Sequence, residues 1–136
     1  MSIFDSARFE ISAAKLSGLP PERMPEIAFA GRSNAGKSTT INVLTRQTRL
    51  AFWSKTPGRT QLVNFFTLSR KRPEGGREQV GYLVDLPGYG FAKTQEAVRK
   101  SWSDLVGGYI AKRRSLAGLV VVMDARRPFM PPDEWL

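Results

Sequence analysis

Residues Gly31-Arg32-Ser33-Asn34-Ala35-Gly36-Lys37-Ser38 satisfy G-x-x-x-x-G-K-[ST] at every fixed position. The chemistry such a run can do is the grip of a polyphosphate. Glycines at positions 31 and 36 let the backbone turn tightly and bring its N–H groups close to phosphate oxygens. Lys37 is a point charge on a long stem, suited to the β- and γ-phosphates. The Ser38 hydroxyl is a ligand for Mg²⁺, and a helix starting there points its positive end at the anion. Further on, Asp85-Leu86-Pro87-Gly88 closes an apolar stretch. An acidic residue at the end of such a strand can steady a nucleotide-bound Mg²⁺, often through water. Gly88 can offer its N–H to a γ-phosphate, which would make the loop after it sensitive to hydrolysis. Between the two motifs lies Lys55-Thr56-Pro57-Gly58-Arg59-Thr60-Gln61. Either Thr56 or Thr60 has the chemistry to give Mg²⁺ a second hydroxyl.

These groups need a strand before the first glycine and a helix after Lys37, and the pattern supplies both. Ile27-Ala28-Phe29-Ala30 is a short, bounded, wholly apolar run, as in a buried strand. Residues 38–48 carry Ile41 and Leu44 three apart, which predicts a helix. Alternation over 7–12 predicts an edge strand, and Gly18-Leu19-Pro20-Pro21 predicts a loop. Strands are predicted over 62–68 and 80–86, joined by a hairpin through Pro73 and Gly75-Gly76. Val98, Trp102, Leu105, Val106, Tyr109 and Ile110 form one stripe on a predicted helix over 95–113. Gly107-Gly108 weakens that helix by roughly 1 kcal/mol per glycine. Leu119-Val120-Val121-Val122-Met123 is the strongest buried-strand signal in the chain. The order is an α/β domain with a mainly parallel sheet, one antiparallel hairpin and a closing β-α-β unit.

Composition bounds the chemistry. The chain has 136 residues, 41% hydrophobic and 24% charged, as in one small folded domain rather than a disordered tail. With no cysteine and no histidine, it has no disulfides, no thiolate or imidazole metal sites and no Ser-His or Cys-His catalysis. A formal charge of +9 points to polyanionic partners. No apolar run approaches the ~18 residues of a membrane span, and the first residues lack the layout of a signal peptide. The expected location is cytoplasmic.

GRSNAGKS, KTPGRTQ and DLPGYG, in this order and spacing, resemble the EngB family of bacterial GTP-binding proteins (also called YihA or YsxC). The resemblance covers nearly the whole chain. It implies a P-loop NTPase of the GTPase type, a three-layer fold, with residues 1–25 as an N-terminal extension and 26–136 as an incomplete GTPase core. Family members usually continue beyond this point, and the expectation is a domain whose C-terminal part is missing. The resemblance makes residues 31–38 the phosphate loop. It makes Gly58, Arg59, Thr60, Gln61 and Leu62 the first switch, with Thr60 as the second Mg²⁺ ligand, and Asp85, Leu86, Pro87 and Gly88 the second switch. Catalytic roles then fall to Lys37 and Thr60, and metal ligation to Ser38, Thr60 and Asp85. GTP and GDP, Mg²⁺, roles in large-ribosomal-subunit assembly and in septation during cell division, and a monomeric state follow from the same resemblance. The guanine-reading [NT]-K-x-D motif is absent from these residues.

Many GTPase switches place Gln after D-x-x-G, whereas Tyr89 stands here. Slow intrinsic hydrolysis is the expectation, completed by Arg59, by a partner's arginine, or by potassium held near Asn34. Arg46, Arg49, Lys55 and Arg59 gather around the first switch; Lys112-Arg113-Arg114 and Arg126-Arg127 add further charge. Ribosomal RNA is a fitting partner, although a helix end also favours cations at 112–114. Phe52 and Trp53 are candidates for stacking on a base, with core packing as the plainer alternative. Two other readings stay open: a P-loop nucleotide kinase and a phosphate- or RNA-binding fragment without turnover.

Overall fold

A computed structural model of the chain describes residues 2–31, 36–48, 50, 62–88 and 100–123. Five strands form one sheet: β1 (Arg8–Ala13), β2 (Glu26–Gly31), β3 (Val63–Lys71), β4 (Arg77–Asp85) and β5 (Leu116–Val122), in the order β1-β3-β4-β2-β5. Parallel pairing joins β2 to both β4 and β5. Antiparallel pairing joins β3 to β1 and to β4. The sheet is therefore mixed, because β1 adds a second antiparallel partner to the β3–β4 hairpin. The hairpin turns at Gly75 and Gly76, whose φ of 106° and 76° only glycine adopts without strain.

Alternating side chains split the core between the two faces. Ala28, Ala30, Val63, Phe65, Tyr82, Val84 and Leu86 pack on one side with Trp102, Leu105, Val106 and Tyr109. Phe29, Phe66, Leu68 and Leu83 pack on the other with Ile41 of helix α1 (Lys37–Thr45). Helices on both faces of a sheet give the three layers of a P-loop fold.

The second helix departs from the sequence expectation of a regular helix. Its described part begins at residue 100, runs π-helical over Ser103–Gly107 and returns to α geometry in α2 (Gly108–Lys112). The second glycine of the pair has a packing reason. A Cβ on Gly108 would stand 2.5 Å from the Leu16 side chain, in the 3₁₀ turn Leu16–Gly18. The stripe residues Trp102, Leu105, Val106 and Tyr109 are all buried, as their spacing implied. Val98 lies outside the described residues.

Strand β5 corrects another expectation. Leu119, Val120 and Val121 are 38%, 40% and 36% exposed. Continuous apolar sequence signals burial on both faces, but among the described residues this strand sits at the sheet edge and pairs only with β2. Among the described residues, no helix is long and apolar enough to cross a membrane.

Candidate phosphate and metal site

The site sits where two parallel strands end. Phe29 of β2 stands opposite Asp85, the last residue of β4, so Gly31 and Asp85 emerge side by side. Gly31 has a reason beyond phosphate approach. A Cβ there would meet the Val122 carbonyl oxygen of β5 at 2.8 Å. Gly36, by contrast, has open space around its Cα but a φ of 92°, and it caps the N-terminus of α1. One glycine is needed for room, the other for its dihedral.

Lys37 and Ser38 open α1 and are buried at 7% and 6% exposure, unusual for a lysine. The Lys37 ammonium Nζ donates to Asp85 Oδ1, and both side chains are shielded from water. The other carboxylate oxygen, Asp85 Oδ2, is buried and accepts no hydrogen bond among the described residues. A buried carboxylate oxygen without a partner is costly, so Asp85 Oδ2 could take a cation or a donor. The Asp85 carboxylate and the Ser38 hydroxyl are hard oxygen donors of the kind that could hold Mg²⁺.

Leu86 and Pro87 follow Asp85 into the interior. Leu86 donates its N–H to the Phe29 carbonyl at 3.0 Å, and its side chain belongs to the core. The Pro87 carbonyl accepts the Trp102 indole N–H at 2.8 Å. The D-x-x-G turn is thereby tied to the helix, and Trp102 has both of the roles that a buried indole needs. Gly88 is buried beside them. Leu62 precedes β3 and is 37% exposed. Arg32, Ser33, Asn34 and Ala35, and Gly58, Arg59, Thr60 and Gln61, lie outside the described residues, as do Thr56, Arg49, Phe52, Trp53, Lys55, Tyr89, Arg126 and Arg127.

Three features that position the site were not read from the sequence. Asn64 is buried beside Asp85 in the β3–β4 register. Glu26, the first residue of β2, is fully buried and accepts from Tyr109 Oη (2.7 Å), Ser115 Oγ (2.7 Å) and Arg113 Nη2 (2.8 Å). Arg113 also donates to the Pro20 carbonyl at 2.7 Å and lies over the Phe65 ring at 5.5 Å. This hub clamps the start of the strand that delivers Gly31. It also removes Arg113 from the basic surface proposed from sequence, because its side chain is 7% exposed. A lone Glu opening an apolar run, with an Arg just beyond a helix, is the faint signal that was there to read. Burial and then the bond to Glu26 push the Tyr109 phenol far above its ordinary pKa. Burial, with a bond to Glu10, raises Tyr82 as well.

A groove of about 910 Å³ opens at the other end of β3, between that strand and the N-terminal segment. Arg8, Arg70, Lys71 and Arg77 line it, with Asp5 as its acid. Arg70 is paired with Glu78 and Arg77 with Ser69, which leaves Arg8 and Lys71 as its unpaired cations among the described residues.

With Lys37, Ser38 and Asp85 brought to one end of the parallel strands, comparison of the sequence with known proteins gives the family. The model of a family described as 50S ribosome-binding GTPase matches residues 26–136. The chain belongs to this family. It is also similar to proteins described as probable GTP-binding protein EngB, as the three motifs implied. The protein from Aromatoleum aromaticum is 56% identical over 133 residues, covering 98% of this chain and 57% of the relative. That from Ralstonia pickettii is 52% identical over 139 residues, covering 99% and 58%. That from Bordetella pertussis is 55% identical over 127 residues, covering 93% and 60%. The chain thus spans a little under three-fifths of the length of the first two relatives.

Proposed function

We propose that this chain carries the phosphate- and metal-holding half of a Mg²⁺-dependent GTP-binding switch, which hydrolyses GTP slowly to GDP and phosphate. The observation that carries this reading is the buried Lys37–Asp85 pair, with Asp85 Oδ2 left unpartnered among the described residues, at the mouth of two adjacent parallel strands. Lys37 exchanges Asp85 for the β- and γ-phosphates, which a cation on a long stem can do with little backbone motion. Backbone N–H groups of residues 31–38 cradle the same phosphates. Ser38, Asp85 and Thr60 are the residues that hold Mg²⁺, Asp85 directly or through water. When bound, the ion neutralises charge on the β- and γ-oxygens. Gly88 reads the γ-phosphate, and the Trp102 bond to Pro87 carries its position to the second helix. That anchored turn favours a switch over a kinase, which has no use for it.

With Tyr89 after Gly88, water positioning falls to Arg59, a partner's arginine or a potassium ion near Asn34. The partner is large-subunit ribosomal RNA, the setting is ribosome assembly with an effect on septation in cell division, and the protein works as a cytoplasmic monomer. The +9 charge and the groove around Arg8 and Lys71 support an RNA partner. The test is single-turnover phosphate release from GTP, in potassium and in sodium, with Lys37→Ala as control. Release lost with Lys37 and faster in potassium is expected. Equal rates in both salts remove the potassium role, and release independent of Lys37 removes the proposed site.

A further inference from the structure

The inner face of the sheet toward α1 carries a polar row that the reading above does not use. Ser12 of β1 stands opposite Asn64 of β3, and Asn64 stands opposite Asp85 of β4. Strand alternation puts all three on one face. Val63 and Phe65 turn to the Trp102 side, while Phe66 and Leu83 turn to the α1 side, sharing the parity of Asn64 and Asp85. Asn64 is 6% exposed and Asp85 1%. Burying an amide in an apolar sheet costs free energy unless its groups are used. Its carbonyl is used: Ser12 Oγ donates to Asn64 Oδ1 at 2.5 Å. That bond commits the oxygen and leaves the NH₂ as the part of the amide free to donate. Directly opposite residues have Cβ atoms about 4.5–5.5 Å apart. The charged acceptor across that gap is Asp85, whose Oδ1 takes Lys37 and whose Oδ2 has no partner among the described residues.

We propose that Asn64, oriented by Ser12, is a positioning residue for Asp85, fixing its carboxylate for the metal side of the phosphate site. The amide NH₂ serves the free carboxylate oxygen or a water that it shares with the metal. Lys37 then has to release only Oδ1 when phosphate arrives, and the carboxylate keeps its orientation during the exchange. This inference rests on the Mg²⁺–nucleotide reading of the site and extends it by two residues from separate strands.

The test is GDP affinity, measured by titration calorimetry in Mg²⁺ and again in EDTA, for the unaltered chain, Ser12→Ala and Asn64→Ala. Ser12→Ala removes one hydroxyl from an edge strand and keeps the fold, whatever Asn64→Ala does to stability. The expected result is a Mg²⁺-dependent gain in affinity reduced about tenfold in Asn64→Ala, as for a hydrogen bond to a charged group. A smaller loss in Ser12→Ala and unchanged affinity in EDTA accompany it. Equal losses in Mg²⁺ and EDTA assign the row to packing and overturn the proposal. An unchanged Mg²⁺ step in folded variants overturns it too. Asp85→Asn and Lys37→Ala separate the two levels. If those leave GDP binding intact, or the unaltered chain binds none, the nucleotide reading itself falls and the inference with it.

Discussion

Arg113→Met tests how the phosphate loop is held from behind. Arg113 donates through Nε and Nη2 to the Glu26 carboxylate, which is fully buried at the start of β2. Methionine keeps the length and removes the charge. Glu26 retains Tyr109 and Ser115, both neutral donors, so a buried carboxylate loses its only cation. Breaking a buried ion pair from one side costs about 3–5 kcal/mol. A small domain has about 5–15 kcal/mol in all, so the loss is a large share of its stability. With a urea m-value of about 2 kcal/mol/M, the unfolding midpoint falls by roughly 2 M at unchanged m. Replacing both partners, Glu26→Leu with Arg113→Met, removes the stranded charge but strands the Tyr109 and Ser115 hydroxyls, at about 1–3 kcal/mol each. Adding Tyr109→Phe and Ser115→Ala therefore recovers stability that the double variant lacks. Equilibrium urea unfolding followed by far-UV circular dichroism reads all three. A loss below about 1 kcal/mol for Arg113→Met would refute the reasoning, since that is the range of a solvated surface pair.

The two glycines of the phosphate loop separate by mechanism. Gly31→Ala forces a methyl against the Val122 carbonyl and costs about 1–3 kcal/mol; Gly36→Ala meets no atom but pays about 1–2 kcal/mol for its positive φ. Gly36→Asn is milder than Gly36→Ala, and urea midpoints order the three. Alkaline titration tests the buried phenols. Tyr82 and Tyr109 have folded pKa values raised above the ordinary 10.0, so the folded state holds protons that the unfolded state releases. Stability is therefore full below about pH 10 and declines above it. Absorbance at phenolate wavelengths shows these two tyrosines ionising with unfolding rather than before it; early ionisation of both refutes their burial. For the basic groove, Arg8→Glu with Lys71→Glu lowers affinity for a ribosomal RNA fragment and flattens its salt dependence, in a filter-binding series, while leaving GDP affinity unchanged.

The phosphate-loop motif was legible because it depends on local spacing. G-x-x-x-x-G-K-S, a strand before it and a helix after it can be read without knowing the sheet order, and Asp85 follows from an acid closing an apolar run. The strands over 62–68 and 80–86 came out longer at both hairpin ends. Arg70, Lys71, Arg77 and Glu78 pair across the hairpin with polar side chains, and apolar pattern cannot register them. Leu119–Val121 carry a buried-strand pattern that an edge position leaves partly exposed: composition reports what a strand could bury, and the described sheet order puts this one at the edge. The packing of Leu16 against Gly108 is a contact between segments distant in sequence, which local spacing does not carry. Asn64, Ser12 and Glu26 were invisible for the same reason. Each acquires its role only from register or burial, and Arg113, read as surface charge, changed meaning once Glu26 was found beneath it.

The central claim is that Lys37 and Asp85 form one phosphate and metal site. Its most direct test is calorimetric titration of GDP and of ADP into the chain, with Mg²⁺ and with EDTA, repeated for Lys37→Ala and Asp85→Asn. The account predicts GDP binding that is lost with Lys37 and loses its Mg²⁺ dependence with Asp85. GDP affinity equal in all three proteins, each shown folded by circular dichroism, would contradict it.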